Sequence, residues 1–233
     1  MEYPQNARQA EFIALADSLA GPIAARAAET DRSGTFPFEN FAELRESGFF
    51  GLTVPRRFGG SEASLGGYLG VLEAIAYGDG STALAFMMHL KTFGQEREAP
   101  AYPAEWLERM AIGAVERGEL VNTVATEEGL GSPAGGGMPD TFAARRGDGW
   151  LLKGRKTFTT LAPLLHYFIV LTRIDGDGPP RLANFMVLRD DPGLRIEETW
   201  DSLGMRATGS HDVVLEDVEL TADRLLNARE PGA

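Results

Sequence analysis

The stretch GELVNTVATEEGLGS, residues 118–132, separates two halves of the chain that differ in hydrophobic periodicity. Before it, apolar residues recur every three or four positions, the period of an amphipathic helix. After it, short runs rich in Val, Ile, Phe and Thr are separated by Gly, Pro and Asp turns, which indicates strands. The sequence therefore predicts an α+β fold: an all-α domain at 1–118, followed by a small β-sandwich or barrel domain at 119–233.

Glycine and proline predict where individual elements end. Gly21-Pro22 is expected to interrupt the first helix, and Gly48 is expected to end the helix in FENFAELRESG. The segment PAEWLERMAIGAVERG opens with proline and closes with glycine, as helices often do. In the second half, Gly147-Asp148-Gly149 joins two extended runs and predicts a hairpin.

Composition excludes several classes of function. The 233 residues carry a formal charge of −12, which argues against a nucleic-acid partner or an anionic membrane surface. There is no cysteine, and three dispersed histidines show no ligand spacing, so we expect no metal site. The N-terminal MEYPQNARQAEF lacks the pattern of a signal peptide, and no apolar run is long enough to insert into a membrane. We expect a cytoplasmic protein.

The run ATEEGLGS, residues 125–132, leaves the first predicted strand and enters a glycine-rich loop. Glycines allow backbone N–H groups to approach an anion closely, and Thr126 and Ser132 add hydroxyl groups. Such a loop suits a phosphate or diphosphate. An ordinary loop after a strand has the same composition, so this motif alone leaves both interpretations open.

A second motif, GRKTFTTLA at residues 154–162, places a single aromatic ring among hydroxyl groups. Alternation along a strand predicts that Lys156, Phe158 and Thr160 share one face, with Thr157 and Thr159 on the other. Phe158 and Thr160 together suit a flat heteroaromatic ring, through ring contact and a hydrogen bond. A core phenylalanine beside a strand-favouring threonine is the alternative.

Five segments, in order, resemble motifs of the acyl-CoA dehydrogenase family of flavoproteins. The resemblance covers nearly the whole chain, and TEEGLGSP is similar to that family's flavin loop, with Glu128 and Pro133 as departures. The other four segments are FAELRESGFFGLTVPRRFGG, LEAIAYGDGSTALAFMMH, LLKGRKTFTT and LGMRATGSHDVVLEDVEL.

The resemblance implies an FAD cofactor held by residues of the second domain. Phe158 is expected near the dimethylbenzene part of the flavin, Thr160 at N5, and Thr159 between them through its backbone. Ser132 is expected to border the acyl-CoA as well as the diphosphate of FAD. The remaining implied FAD contacts are Thr123, Val124, Ala125 and Thr126 at the pyrimidine side and Gly131 at the diphosphate.

The implied activity is α,β-dehydrogenation of an acyl-CoA thioester, with hydride transfer to flavin N5 and an electron-transfer protein as acceptor, in fatty acid metabolism. The family's C-terminal helical bundle supplies the catalytic glutamate and the oligomer core. We find no counterpart of that bundle in these residues and expect a truncated chain, so the resemblance assigns no catalytic residue here. A homo-oligomer is expected when that domain is supplied, and Glu127 and Glu128 are expected to be structural.

Two other functions are compatible with the same motifs. Flavin monooxygenases of this fold use reduced flavin and oxygen on aromatic or sulfur substrates. A non-catalytic protein would bind flavin or acyl-CoA without turnover. His89, beside Met87 and Met88, is expected to be a packed helical residue rather than a ligand.

Overall fold

A computed structural model describes residues 4–129, 137–175 and 179–230. The chain divides into two compact units. One unit comprises Met1–Pro100, Leu107–Leu120 and Asp201–Gly209, and the other comprises Ala101–Trp106, Val121–Trp200 and Ser210–Ala233. The domain limits of 1–118 and 119–233 remain a prediction.

Helices form the first part of the chain, as the three- and four-residue period predicts. A π-helical turn, Gly113–Arg117, continues the last helix and ends at Gly118 in a left-handed conformation. The helices in the described residues are α1 (Ala7–Ser33), α2 (Phe38–Glu46), α3 (Leu65–Gly78), α4 (Gly80–Glu98) and α5 (Ala104–Ile112).

The first helix corrects one expectation, because α1 runs without a break through Gly21 and Pro22. Packing explains the continuity. Ile23 is completely buried, and a Cβ on Gly78 of α3 would lie only 2.6 Å from the carbonyl oxygen of Ala20. This close contact between α1 and α3 outweighs the hydrogen bond that proline removes. The predicted stop at Gly48 is confirmed, because α2 ends two residues earlier and Gly48 is left-handed, with φ of 79°.

Eight strands in the described residues pair in one sheet of order β6-β7-β3-β2-β4-β5-β8, with β1 beside β4. Along this order β2 and β4 pair in parallel, and the other neighbours pair antiparallel. The strands are β1 (Leu120–Val124), β2 (Phe142–Arg146), β3 (Gly149–Thr159), β4 (Leu165–Ile174), β5 (Arg181–Leu188), β6 (Leu194–Glu197), β7 (His211–Leu220) and β8 (Leu225–Arg229). The α+β class, with helices followed by a β-sheet domain, is confirmed.

The predicted hairpin joins β2 to β3. Arg146 pairs with Gly149, so Gly147 and Asp148 form a two-residue loop in which Gly147 has φ of 56°. Strand β3 then runs eleven residues between β2 and β7, and its far end carries the motif around Phe158.

Candidate functional site

The ends of β1 and β3 lie side by side, which brings the predicted cofactor residues together. The N–H of Thr157 donates to the carbonyl oxygen of Thr126 at 2.9 Å. The side-chain amide of Asn122 donates to the carbonyl oxygen of Thr160, also at 2.9 Å. These bonds place the segment 123–126 next to the segment 158–160, although more than thirty residues separate them in sequence.

The end of β1 has one open side. Val124 is buried, whereas Thr123 and Ala125 are half-buried and Thr126 is exposed. Thr123 in β1 and Ala125 just after it are therefore both partly accessible. Gly131 and Ser132, predicted to meet the diphosphate, lie outside the described residues.

The end of β3 does not follow the predicted alternation. Lys156 is completely buried, but Phe158 is 61% exposed, so the expectation that the two share a face is wrong. Phe158 adopts a left-handed conformation with φ of 54°, and the pairing of β3 with β7 shifts register between Lys156 and Thr159. This bulge turns the Phe158 ring out of the sheet toward solvent.

Thr159 and Thr160 turn inward after Phe158. The N–H of Thr160 donates to the carbonyl oxygen of Phe158 at 2.9 Å, closing a three-residue turn. The Thr160 hydroxyl lies 2.9 Å from the Ser210 hydroxyl, and both residues are buried. Phe158 and Thr160 are thus close but differ in exposure, and Thr160 has a hydroxyl partner that the sequence did not indicate. Within the described residues, the Thr159 hydroxyl has no hydrogen-bond partner.

A buried ion pair links backbone segments next to the site. The ammonium of Lys156 lies 2.5 Å from Oε1 of Glu127, and the Glu127 carboxylate accepts the backbone N–H groups of Asp140 and Thr141. Burial opposes the charge on Glu127, but these hydrogen bonds outweigh it and hold its pKa below the ordinary value. The expectation that Glu127 is structural agrees with these contacts.

Comparison with known proteins identifies the family. Residues 8–114 match the family model of the acyl-CoA dehydrogenase N-terminal domain, and residues 122–218 match that of the acyl-CoA dehydrogenase middle domain. The chain belongs to the acyl-CoA dehydrogenase family. It carries the N-terminal and middle domains of that family, as the ordered motifs indicated.

Proteins similar to this chain carry names of more than one activity. YdbM of Bacillus subtilis (strain 168), a protein named after the acyl-CoA dehydrogenases, is 39% identical to this chain. The match covers 95% of this chain and 58% of the length of YdbM. L-evernosamine nitrososynthase of Micromonospora sp. (strain ATCC 39149 / NRRL 15099 / SCC 1413) is 36% identical to this chain. The match covers 94% of this chain and 52% of the length of the nitrososynthase. The chain thus spans little more than half the length of either relative.

A solved structure of the same fold contains a flavin. KijD3 in complex with FMN and a dTDP-linked amino keto sugar superposes with a TM-score of 0.85 and 34% identity. The match covers 98% of this chain and 56% of KijD3. The two proteins therefore share a fold over nearly the whole of this chain.

Two residues near Phe158 were missed in the sequence. The Trp200 ring packs edge-on against the Phe158 ring, with centroids 5.4 Å apart and planes at 71°. The backbone N–H of Trp200 donates to Nδ1 of His211 at 3.1 Å. Neither residue lies in LLKGRKTFTT, the segment that contains Phe158. Both follow Phe158 by more than forty residues, and no local sequence pattern links positions so far apart.

Three further observations concern His89, metal binding and membrane insertion. His89 is buried, its Nε2 lies 2.9 Å from the carbonyl oxygen of Phe50, and burial lowers its pKa to about 4, so it is a neutral packed residue. Across the described ranges, no cluster of three or more His, Asp or Glu side chains is arranged to hold a metal ion. None of the helices described is long and apolar enough to cross a membrane.

Proposed function

We propose that this chain binds the isoalloxazine ring of FAD where the ends of β1 and β3 lie next to each other, and that it serves an acyl-CoA dehydrogenase reaction. The observation that carries the proposal is the conformation of Phe158. Phe158 is 61% exposed and adopts a left-handed conformation at the end of a sheet, and strained backbone of this kind is concentrated at ligand and active sites.

The residues around Phe158 suit a flavin. Its exposed ring can contact the dimethylbenzene part of the flavin in the edge-on or offset geometry that aromatic rings favour. The Thr160 hydroxyl has two lone pairs and one proton, so its bond to Ser210 leaves capacity for a second partner such as N5. Thr123, Val124, Ala125 and Thr126 would border the pyrimidine side, with Thr123 and Ala125 both partly accessible.

The chemistry divides between cofactor and protein. The flavin, when bound, supplies a two-electron acceptor for the hydride that leaves the β-carbon of the thioester. Phe158 would orient the ring, the Thr160 hydroxyl would fix the position of N5, and the Glu127–Lys156 pair would hold the strand ends that carry both. We assign no catalytic base among these residues. Ser132 is proposed to border both the diphosphate and the acyl-CoA.

A flavin monooxygenase is the second candidate function. L-evernosamine nitrososynthase is nearly as similar to this chain as the relative named after the acyl-CoA dehydrogenases, and KijD3 binds FMN. The Phe158 site serves either chemistry, because both place a substrate against the flavin ring. The electron-transfer protein acceptor and the homo-oligomer are further parts of the dehydrogenase proposal.

Two assays on the native protein separate these candidates. FAD-loaded protein should reduce an artificial electron acceptor when given a short-, medium- or long-chain acyl-CoA. A monooxygenase would instead consume oxygen with reduced FMN and ignore every acyl-CoA. Flavin binding with neither activity would support a non-catalytic flavin-binding protein, and the absence of flavin binding would refute all three.

A further inference from the structure

The left-handed conformation of Phe158 requires support from its neighbours. For a residue with a side chain, this conformation is unfavourable. The Phe158 side chain is mostly exposed, so the core contributes little to holding it. Its ring packs against Trp200, and this edge-on contact leaves part of the Phe158 ring open.

Trp200 in turn depends on contacts from outside its own segment. Strand β6 ends at Glu197, and its pairing with β7 stops at the Glu197–Asp212 pair, so Trp200 lies beyond the ladder. Two hydrogen bonds replace the missing pairing. The N–H of Trp200 donates to Nδ1 of His211, and the N–H of Asp212 donates to the hydroxyl of Thr199, each at 3.1 Å.

His211 connects this segment to the site. It is the first residue of β7, and its backbone pairs with Thr159, the residue immediately after Phe158. One residue therefore contacts the end of β3 through its backbone and the Trp200 segment through its ring. Because Nδ1 accepts a proton-bearing N–H, the imidazole must be neutral, with its own proton on Nε2.

We propose that His211 is a positioning residue: its neutral imidazole holds Trp200 against Phe158, and this brace sets the orientation of the Phe158 ring toward the flavin. The role toward flavin rests on the proposed function, whereas the brace itself does not. It follows that protonation of His211 removes the acceptor for Trp200 and loosens the Phe158 ring.

The charges around His211 fix the direction of its titration. Burial lowers the pKa of His211, while the neighbouring carboxylates of Glu198 and Asp212 oppose that effect. Asp212 is itself paired with Arg155 of β3, at 2.7 Å, and Arg155 also pairs with Glu197 of β6, so its influence on His211 is reduced. The imidazole is therefore neutral near pH 7 and gains its proton on acidification.

The test compares His211→Leu with His211→Asn, because the Asn side-chain oxygen can take the place of Nδ1 as acceptor. Trp106 and Trp150 are each 5% exposed, so acrylamide quenching of tryptophan fluorescence reports chiefly on Trp200. Without flavin, H211L should be quenched more strongly than wild type, and H211N should resemble wild type. Wild type should show the same increase on acidification, and H211N should not.

FAD affinity, measured by flavin fluorescence on the same proteins, tests the second half of the proposal. We expect H211L and Trp200→Ala to bind FAD about tenfold more weakly, with H211N close to wild type. Circular dichroism and urea midpoints identify any variant that fails to fold. If H211L fails, W200A replaces it in the FAD measurement, and the acid dependence of wild-type quenching replaces it in the test of the brace. Unchanged quenching in H211L would overturn the brace, and increased quenching with unchanged FAD affinity would overturn the positioning role. If wild type binds no FAD, the proposed function fails while the quenching result still decides the brace.

Discussion

Lys156 and Glu127 form an ion pair with an N–O separation of 2.5 Å, and both side chains are withdrawn from solvent. The pair joins the middle of β3 to the segment that follows β1. Through Asp140 and Thr141, the same carboxylate also reaches the segment that precedes β2. One carboxylate thus holds three backbone segments around the candidate flavin site.

Removing one partner of this pair should be strongly destabilising. Lys156→Met and Glu127→Gln should each lower the free energy of unfolding by about 3–5 kcal/mol, because each leaves a buried group without its partner. The double variant should lose less than the sum of the two. Urea denaturation measures these values. Lys153→Met is the matched control, since Lys153 lies on the same strand but pairs with Asp217 at the surface, and it should cost less than about 1 kcal/mol.

The same carboxylate predicts a dependence of stability on acid. The pKa of Glu127 in the folded protein lies below its ordinary value of 4.5. Its ionised form therefore stabilises the fold fully above pH 4.5, and this contribution is lost as the pH falls through the lowered pKa. Glu127→Gln should show a flatter decline of unfolding free energy in that window. Parallel curves for the two proteins would contradict the assignment.

Local features of the chain were predictable from sequence. Gly48 just after α2 and Gly147 in the hairpin loop were predictable, because each has a left-handed backbone conformation that glycine adopts readily. The break expected at Pro22 does not occur, because packing of α1 on α3 at Gly78 overrides local propensity.

The candidate site was only partly predictable. The motif around Phe158 lies next to the segment 123–126. The predicted face of Phe158 was wrong, because alternation assumes a regular strand and the bulge breaks it. Ser210 immediately precedes β7 and His211 is its first residue, and both lie about fifty residues further along the chain than the β3 residues they contact. Such contacts depend on strand register, which a single sequence does not specify.

Two glycines should respond in opposite ways to alanine. At Gly154, φ is 153° and a Cβ would lie 2.3 Å from the Thr141 hydroxyl oxygen, so Gly154→Ala should destabilise by several kcal/mol. Gly21 lies inside α1, and a methyl group added there would have no atom within 4 Å, so Gly21→Ala should stabilise by about 0.5–1 kcal/mol. Thermal unfolding of both variants checks the pair, and equal effects would refute the backbone conformation at Gly154.

Phe158 should show a reversed order of stability between alanine and glycine. Because its φ is positive, Phe158→Gly should be more stable than Phe158→Ala by about 1 kcal/mol, although alanine is normally the better residue. Both variants should bind FAD at least about tenfold more weakly than wild type, through loss of ring contact. Arg146→Ala, at the hairpin end of β2, is the control and should leave FAD affinity unchanged. Wild-type affinity in both Phe158 variants would exclude a contact between this ring and the flavin.

Thr160 should affect rate more than binding. Thr160→Val removes the hydroxyl proposed to contact N5 while keeping the side-chain volume, so flavin reduction by substrate should slow about tenfold or more with little change in FAD affinity. Thr160→Ser restores the hydroxyl and should recover most of the rate. Stopped-flow measurement of flavin absorbance gives both rates, and a valine variant as fast as wild type would remove Thr160 from the mechanism.

The central claim, that flavin binds where the ends of β1 and β3 meet, is tested most directly by a crystal structure of the protein loaded with FAD. We expect the flavin ring against the exposed face of Phe158, with the Thr160 hydroxyl within hydrogen-bond distance of N5. A flavin bound elsewhere, with the Phe158 ring still open to solvent, would contradict the claim.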